Sequence, residues 1–214
     1  ELRSPVTTMR TMAGALQDGL ASDPERMDRA AGSLVRTSER LLHLITDLLE
    51  LSKLDLRELP IHRREVDLRE FAAAAIGFHT ASASRAGITL HPVKPGAPLT
   101  ASVDPDRITQ VLDNLLDNAI SHAGEGAEVR VVIEAGDPSR LIITDTGRGI
   151  PANHLPNIFE PFYRADPART PGDAHSGLGL RIARGIVEAH GGTLEIASVE
   201  GVGTRAVVSL PFAR

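Results

Sequence analysis

The 214-residue chain is 42% hydrophobic and 24% charged, an ordinary balance for a globular protein of one large domain or two smaller ones, and its net charge of -5 argues against direct nucleic-acid binding. Lacking cysteine, it has no disulfides, zinc–thiolate sites or cysteine nucleophiles. No apolar run approaches the ~20 residues that span a bilayer, no signal peptide opens the chain, and its start at Glu1 is expected to be a cut within a longer protein.

Apolar residues recur at Leu2, Val6, Met9, Ala13, Leu16 and Leu20, in alternating steps of four and three, so the spacing predicts a helix with a heptad seam. Pro5 in that helix is either a harmless first-turn residue or a kink beside a reactive side chain. Asp18-Gly19 and Ser22 to Glu25 mark a turn, with Asp23 as N-cap and Pro24 at the first helical position. A second helix carries Met27, Ala30, Leu34, Thr37, Leu41, Leu44, Leu48 and Leu51 on one seam, which Val35, Leu42, Ile45 and Leu49 widen beyond what one partner helix covers. The expectation is a dimer that closes a four-helix bundle; the alternative is packing against the rest of the chain.

Beyond a linker at residues 60–66, an alanine-rich helix is predicted from Leu68 to Ala86, ended by Gly87. Short strands are expected at Ile88–His91 and Leu99–Val103, around a Lys94-Pro95-Gly96 loop. Asp104-Pro105 then caps a helix with Ile108, Val111, Leu112, Leu115 and Ala119 as its core stripe. Asn114 and Asn118, four residues apart, point the same way. They are either a solvated face or a pair offering neutral oxygens to a hard cation and amide donors to phosphate. Magnesium that arrives with a nucleotide takes few protein ligands, which suits such a pair.

Ala127–Ala135 and Arg140–Thr144 read as a hairpin, and LIITDTGRGI after it either makes a plain Asp-Thr-Gly turn following a core strand or delivers Asp145 to the mouth of a pocket. A carboxylate there suits an amino group better than a phosphate, and Gly147 and Gly149 let a ligand approach the backbone. Phe159 to Arg164 follow, and Ala165–Ser176 is small, polar and rich in Gly and Pro, as in a lid. Ser176-Gly177-Leu178-Gly179-Leu180 opens a helix to about His190, and glycines at a helix start suit a phosphate chain. Thr193–Ala197 and Thr204–Leu210 form a last hairpin.

Four motifs thus stand in order: DNLLDNAISHA, DTGRGI, FEPFYRAD and SGLGL. They resemble the N, G1, F and G2 boxes of sensor histidine kinases of bacterial two-component systems, and the opening ELRSP resembles the end of an H box. The resemblance implies an α+β chain. Residues 1–59 would be a dimerisation and histidine-phosphotransfer hairpin, and residues 67–214 an ATP-binding domain of the Bergerat fold, an α/β sandwich. It implies ATP and Mg2+ as cofactors, a cognate response regulator as partner, and a cytoplasmic position in an inner-membrane sensor through segments upstream.

Carried across by motif, Asp145 would accept from the adenine amino group, Asn118 would coordinate magnesium, and Asn114 would help hold metal and phosphates. Gly147, Gly149, Gly177, Leu178 and Gly179 would shape the pocket and its lid. Arg164 matches a basic position near the phosphates, and Thr204 a threonine that supports adenine recognition. Glu1 would take the proton of a histidine just upstream or orient its ring, and Ser4 would orient a water that dephosphorylates the regulator; the alternative for both is a plain capping role at a chain terminus. Three departures stand out. The phosphorylated histidine would precede Glu1. Ser121 occupies a place often taken by Lys or Arg, so one phosphate contact is absent or His122 replaces it. The lid also lacks a usual glycine before Ser176. ATPases of the same fold, and the anti-sigma-factor serine kinases, carry a glutamate where this chain has Asn114, an amide that takes no proton at neutral pH. A nucleotide-binding dimeric scaffold without kinase activity is the other alternative.

Overall fold

A computed structural model describes residues 3–17, 23–165 and 176–211. Helix α1, Arg3–Gln17, runs through Pro5 without interruption, as expected where a first-turn N–H has no intrahelical partner to lose. Helix α2, Pro24–Asp55, starts where the Asp23 carboxylate accepts from the backbone N–H groups of Glu25 and Arg26, at 3.1 and 3.3 Å. The expected turn at Asp18, Gly19 and Ser22 lies outside the described residues.

Strand β1, Arg64–Asp67, falls for its first three residues within the stretch 60–66 expected to be a linker. It pairs antiparallel with β3, Thr100–Val103. Asp67 closes it by accepting from Arg69 N at 2.9 Å, which caps helix α3, Leu68–Arg85, and from Leu99 N at 3.0 Å. One carboxylate thereby ties a strand end, a helix start and the entry to β3. Asp104 does the same for helix α4, Pro105–Ala123, accepting from Asp106, Arg107 and His62 backbone N–H groups. Burial alone would raise the Asp104 pKa, but these three donors hold it below the usual value.

The main sheet has the order β2-β4-β5-β7-β6, built from Thr89–Leu90, Glu128–Glu134, Ser139–Asp145, Gly203–Leu210 and Thr193–Val199. Only the β2–β4 pair is parallel. Alternation in β4 turns Val129, Val131 and Ile133 inward, beside Leu141 and Ile143 of β5 and Ala206 and Val208 of β7. These side chains share one core with α3, α4 and helix α5, Gly179–Ala189, giving a helix layer on a sheet.

The end of α2 docks on that layer. Leu51 belongs to the same core, and Leu54 packs over Gly185 of α5, where an added Cβ would stand 2.8 Å from Leu54 Cδ1. Around this contact Glu50 pairs with Arg107 and accepts from Gln110, while Arg181 donates to Asp55 at 2.9 Å. Packing of the hairpin against the rest of the chain, the alternative to a dimer, therefore accounts for the last turns of α2. Val35, Leu42, Leu49 and Leu56 remain exposed. Among the described residues no helix is long and apolar enough to cross a membrane.

Candidate functional site

Asp145 ends β5, a strand paired on both sides, with Val129 and Thr204 as its direct neighbours. Its Oδ1 accepts from Gly147 N at 2.9 Å and from Thr204 N at 3.3 Å, and the Thr204 hydroxyl also bonds the carboxylate. A carboxylate offers about four lone-pair sites, so capacity remains for one further donor. Burial pushes the Asp145 pKa up, and the Gly147 and Thr204 donors only partly offset it. The group is thus a fixed, poorly hydrated acceptor.

The loop after it is pressed between two backbones. A Cβ on Gly147 would fall 2.2 Å from Ala123 Cα at the end of α4, and one on Gly149, whose φ is +66°, would fall 2.1 Å from Val199 O. Gly201 N donates to Arg148 O at 2.7 Å from the β6–β7 turn. Behind the loop the Ser198 hydroxyl accepts from Ile150 N at 2.8 Å, donates to Gly203 O at 2.8 Å and meets the Thr204 hydroxyl at 3.0 Å. Ser198 is a supporting residue that the sequence reading missed. Nothing in the alternation of β6 distinguishes it.

Helix α4 crosses from this loop to the start of α5. At its far end Ala123 abuts Gly147; nearer its start the Asn114 Oδ1 sits 2.9 Å from the position of a Cβ on Gly179. Half-buried Asn114 and Asn118 and exposed His122, at successive four-residue steps, form a strip ~12 Å long between the two glycine segments. His122 Nδ1 lies 2.9 Å from Arg148 Nη2. A guanidinium only donates, so Nδ1 accepts and the proton of the neutral ring is on Nε2. Arg148, in the middle of DTGRGI, brings a cation to the strip beside Ser121, where the motif lacks one.

The second glycine segment is joined to the aromatic one. Phe162 N donates to Gly177 O at 3.0 Å, with φ of +63° and +72° at the two residues, so the ends of the expected lid are held together. Residues 166–175 between them lie outside the described residues. Leu178 buries its side chain completely, and its N–H is already met by the Ser176 hydroxyl at 3.1 Å, so it anchors the loop from below. The same hydroxyl donates to Asp47 of α2 at 2.9 Å. Desolvation, more than the neighbouring Glu50, raises the Asp47 pKa, and the Ser176 bond opposes the rise.

The structure gathers Asn114, Asn118, His122, Asp145, Gly147, Gly149, Gly179 and Thr204 around α4. Arg164 is half-buried near the edge of the undescribed stretch, without a hydrogen bond or ion pair among the described residues. Ser4 lies in the first turn of α1, and Glu1 lies outside the described residues.

Two family models match this chain: the His Kinase A (phospho-acceptor) domain over residues 1–57, and the histidine kinase-, DNA gyrase B- and HSP90-like ATPase over residues 103–214. Sensor histidine kinase WalK of Bacillus subtilis strain 168 is 34% identical over 99% of the chain, which covers 35% of that protein. Against Sensor protein kinase WalK of Staphylococcus aureus the identity is 36% over 99% of the chain, covering 51%. The chain thus spans between a third and about half of the curated relatives it matches. Histidine kinase AdeS of Acinetobacter baumannii, at 24% identity, has the same fold, with a TM-score of 0.82 over 100% of this chain and 98% of its own. Four ordered motifs, the sheet with its helix layer, the hairpin and both family models agree, and the chain belongs to the bacterial sensor histidine kinases, joining a phospho-acceptor hairpin to an ATPase-type domain.

Proposed function

We propose that this chain is the catalytic core of its sensor kinase, moving the γ-phosphoryl group of ATP to a histidine just upstream of Glu1 and from there to an aspartate of a response regulator. In the first step the bond from the γ-phosphorus to the β–γ bridging oxygen breaks, a phosphorus–nitrogen bond forms on the histidine ring, and ADP leaves. The observation that carries this reading is the Asp145 carboxylate, anchored by Gly147 and Thr204 with acceptor capacity left over, beside the Asn114–Asn118 strip. An adenine amino group matches the carboxylate, and the neutral strip accommodates phosphates.

Asn118, helped by Asn114, would hold Mg2+. Their amide oxygens fit a hard cation that keeps waters and phosphate oxygens as its other ligands. When bound, that ion neutralises phosphate charge. Arg148, held by the neutral His122 ring, supplies positive charge near Ser121, and Arg164 supplies it from the lid side. Gly177 and Gly179 keep the loop backbone open to the phosphates, while Leu178 holds that loop in place. Glu1 would deprotonate or orient the histidine, and Ser4 would orient water for regulator dephosphorylation.

Residues 1–59 act as the dimerisation and phosphotransfer hairpin and residues 67–214 as the ATP-binding domain. A response regulator as partner is supported by the structure of histidine kinase ThkA in complex with response regulator protein TrrA, whose kinase shares this fold. The sensor-kinase relatives, of which this chain covers 35% and 51%, support a place for it as the cytoplasmic part of a longer sensor protein. The ATPase alternative is disfavoured by Asn114, which offers no base for water.

The test uses the chain extended upstream by one residue, incubated with magnesium and γ-labelled ATP. Protein-bound label that survives alkali and is lost in acid is the expected result. Label released only as free phosphate would establish an ATPase instead, and nucleotide binding without turnover a scaffold.

A further inference from the structure

His79 of α3 is 3% exposed, yet both its ring nitrogens face acceptors. Nδ1 lies 2.9 Å from the Ala75 carbonyl oxygen. Nε2 lies 3.3 Å from Asp117 Oδ1 and 3.9 Å from Asp113 Oδ1, both on α4. Nδ1 donates to the carbonyl, and Nε2 stands within ion-pair distance of two carboxylates, surroundings that favour the imidazolium. The hydrogen bond to Asp117 holds the His79 pKa above the ordinary histidine value in spite of burial, in keeping with that geometry.

The two carboxylates are not scattered. Asp113 immediately precedes Asn114 and Asp117 immediately precedes Asn118, so the clamp and the nucleotide-facing strip lie ~100° apart around one helix. Any roll of α4 that loosens the clamp swings both asparagines, and Asn114 has little room beside Gly179, whose Cβ position is 2.9 Å from its Oδ1. Without the cation, two like charges one turn apart repel each other on a helix whose orientation the site depends on.

We infer that His79 is a positioning residue of the nucleotide site: gripped between Asp113 and Asp117, its imidazolium sets the roll of α4 and thereby the aim of Asn114 and Asn118. This rests on the nucleotide-site reading above. Among the described residues, Asp113 and Asp117 are the charged groups that face the ring, both from α4.

The test is calorimetric binding of a non-hydrolysable ATP analogue with magnesium to the full chain, to His79→Gln, and to His79→Gln combined with Asp113→Asn and Asp117→Asn. His79→Gln should weaken binding about tenfold, the scale set by other supports of ligating side chains, and the triple variant should recover most of the loss by removing the repulsion. A folded His79→Gln chain with unchanged affinity would overturn the inference, as would a triple variant no better than the single one. Because the His79→Gln test requires a folded variant, the unmodified chain gives a second reading: affinity should fall as pH rises through the His79 titration followed by NMR. A pH-independent affinity there overturns the inference alone, whereas an unmodified chain that binds no analogue at any pH overturns the nucleotide-site reading and the inference with it.

Discussion

At the scale of single residues the proposed nucleotide site rests on one acceptor kept in place at a folding cost. Asp145 has a raised pKa because burial disfavours its charge. An ionised group with a raised folded pKa destabilises the native state at neutral pH. Asp145→Asn keeps an oxygen for Gly147 N and Thr204 N but turns an amide group toward the ligand. Nucleotide affinity should therefore fall by about 1.5–3 kcal/mol, the worth of a hydrogen bond to a charged group, while the melting temperature stays level or rises. Calorimetric titration and thermal melting check both halves; retained affinity would remove Asp145 from recognition. Gly147 and Gly149 were legible as places of close backbone approach, although the sequence assigned that approach to a ligand and the structure presses them against Ala123 and Val199. The Arg148–His122 contact and the Ser198 hub join residues distant in sequence, and only the fold brings them together.

Among the elements, the helix starts were the easiest to read. Asp23 and Asp104 each precede a proline, and both proved to be N-caps. Strand β1 was hidden because Arg64-Glu65-Val66-Asp67 has no apolar alternation and gains its identity only from β3, its partner. The helices also carry two buried histidines of opposite sign. His190, at the end of α5, is fully buried and accepts from Asp104 N at 3.0 Å through Nε2. Burial depresses its pKa, so the unfolded chain takes up a proton that the folded one refuses, and stability falls as pH drops below about 6.5. For His79 the shift is upward: its contribution is complete below about pH 6.5 and is lost as pH rises through the folded pKa. Urea midpoints should therefore peak near neutrality and decline on both sides. His79→Gln should remove the alkaline decline and leave the acid one, and a profile flat from about pH 5.5 to 8 would contradict both assignments.

For the molecule as a whole, the sequence showed an apolar stripe on α2 too wide for one partner, but not how it is shared. The structure divides it by position along the helix. Leu51 and Leu54 near its end meet α5 and the domain core, where Glu50, Asp55 and Asp47 add polar contacts. Leu42 and Leu49, one heptad apart, are 63% and 60% exposed, with Val35 at 57% on the preceding heptad. A heptad row of large apolar side chains facing water is the seam of a missing helix partner. A second copy of the hairpin offers the same row and closes a four-helix bundle, an isologous arrangement. Leu42→Glu with Leu49→Glu places like charges along both copies of that seam while leaving Leu51 and Leu54 untouched. Sedimentation velocity should show the native chain as a dimer at micromolar concentration and the double variant as a monomer, with nucleotide affinity preserved because the ATP-binding domain keeps its own core. A double variant that stays dimeric would mean that another surface joins the copies, and the exposed row would then need a different partner. Dissociation accompanied by loss of nucleotide affinity would mean that the two parts of α2 act as one unit, with the dimer seam supporting the docked domain through the helix they share.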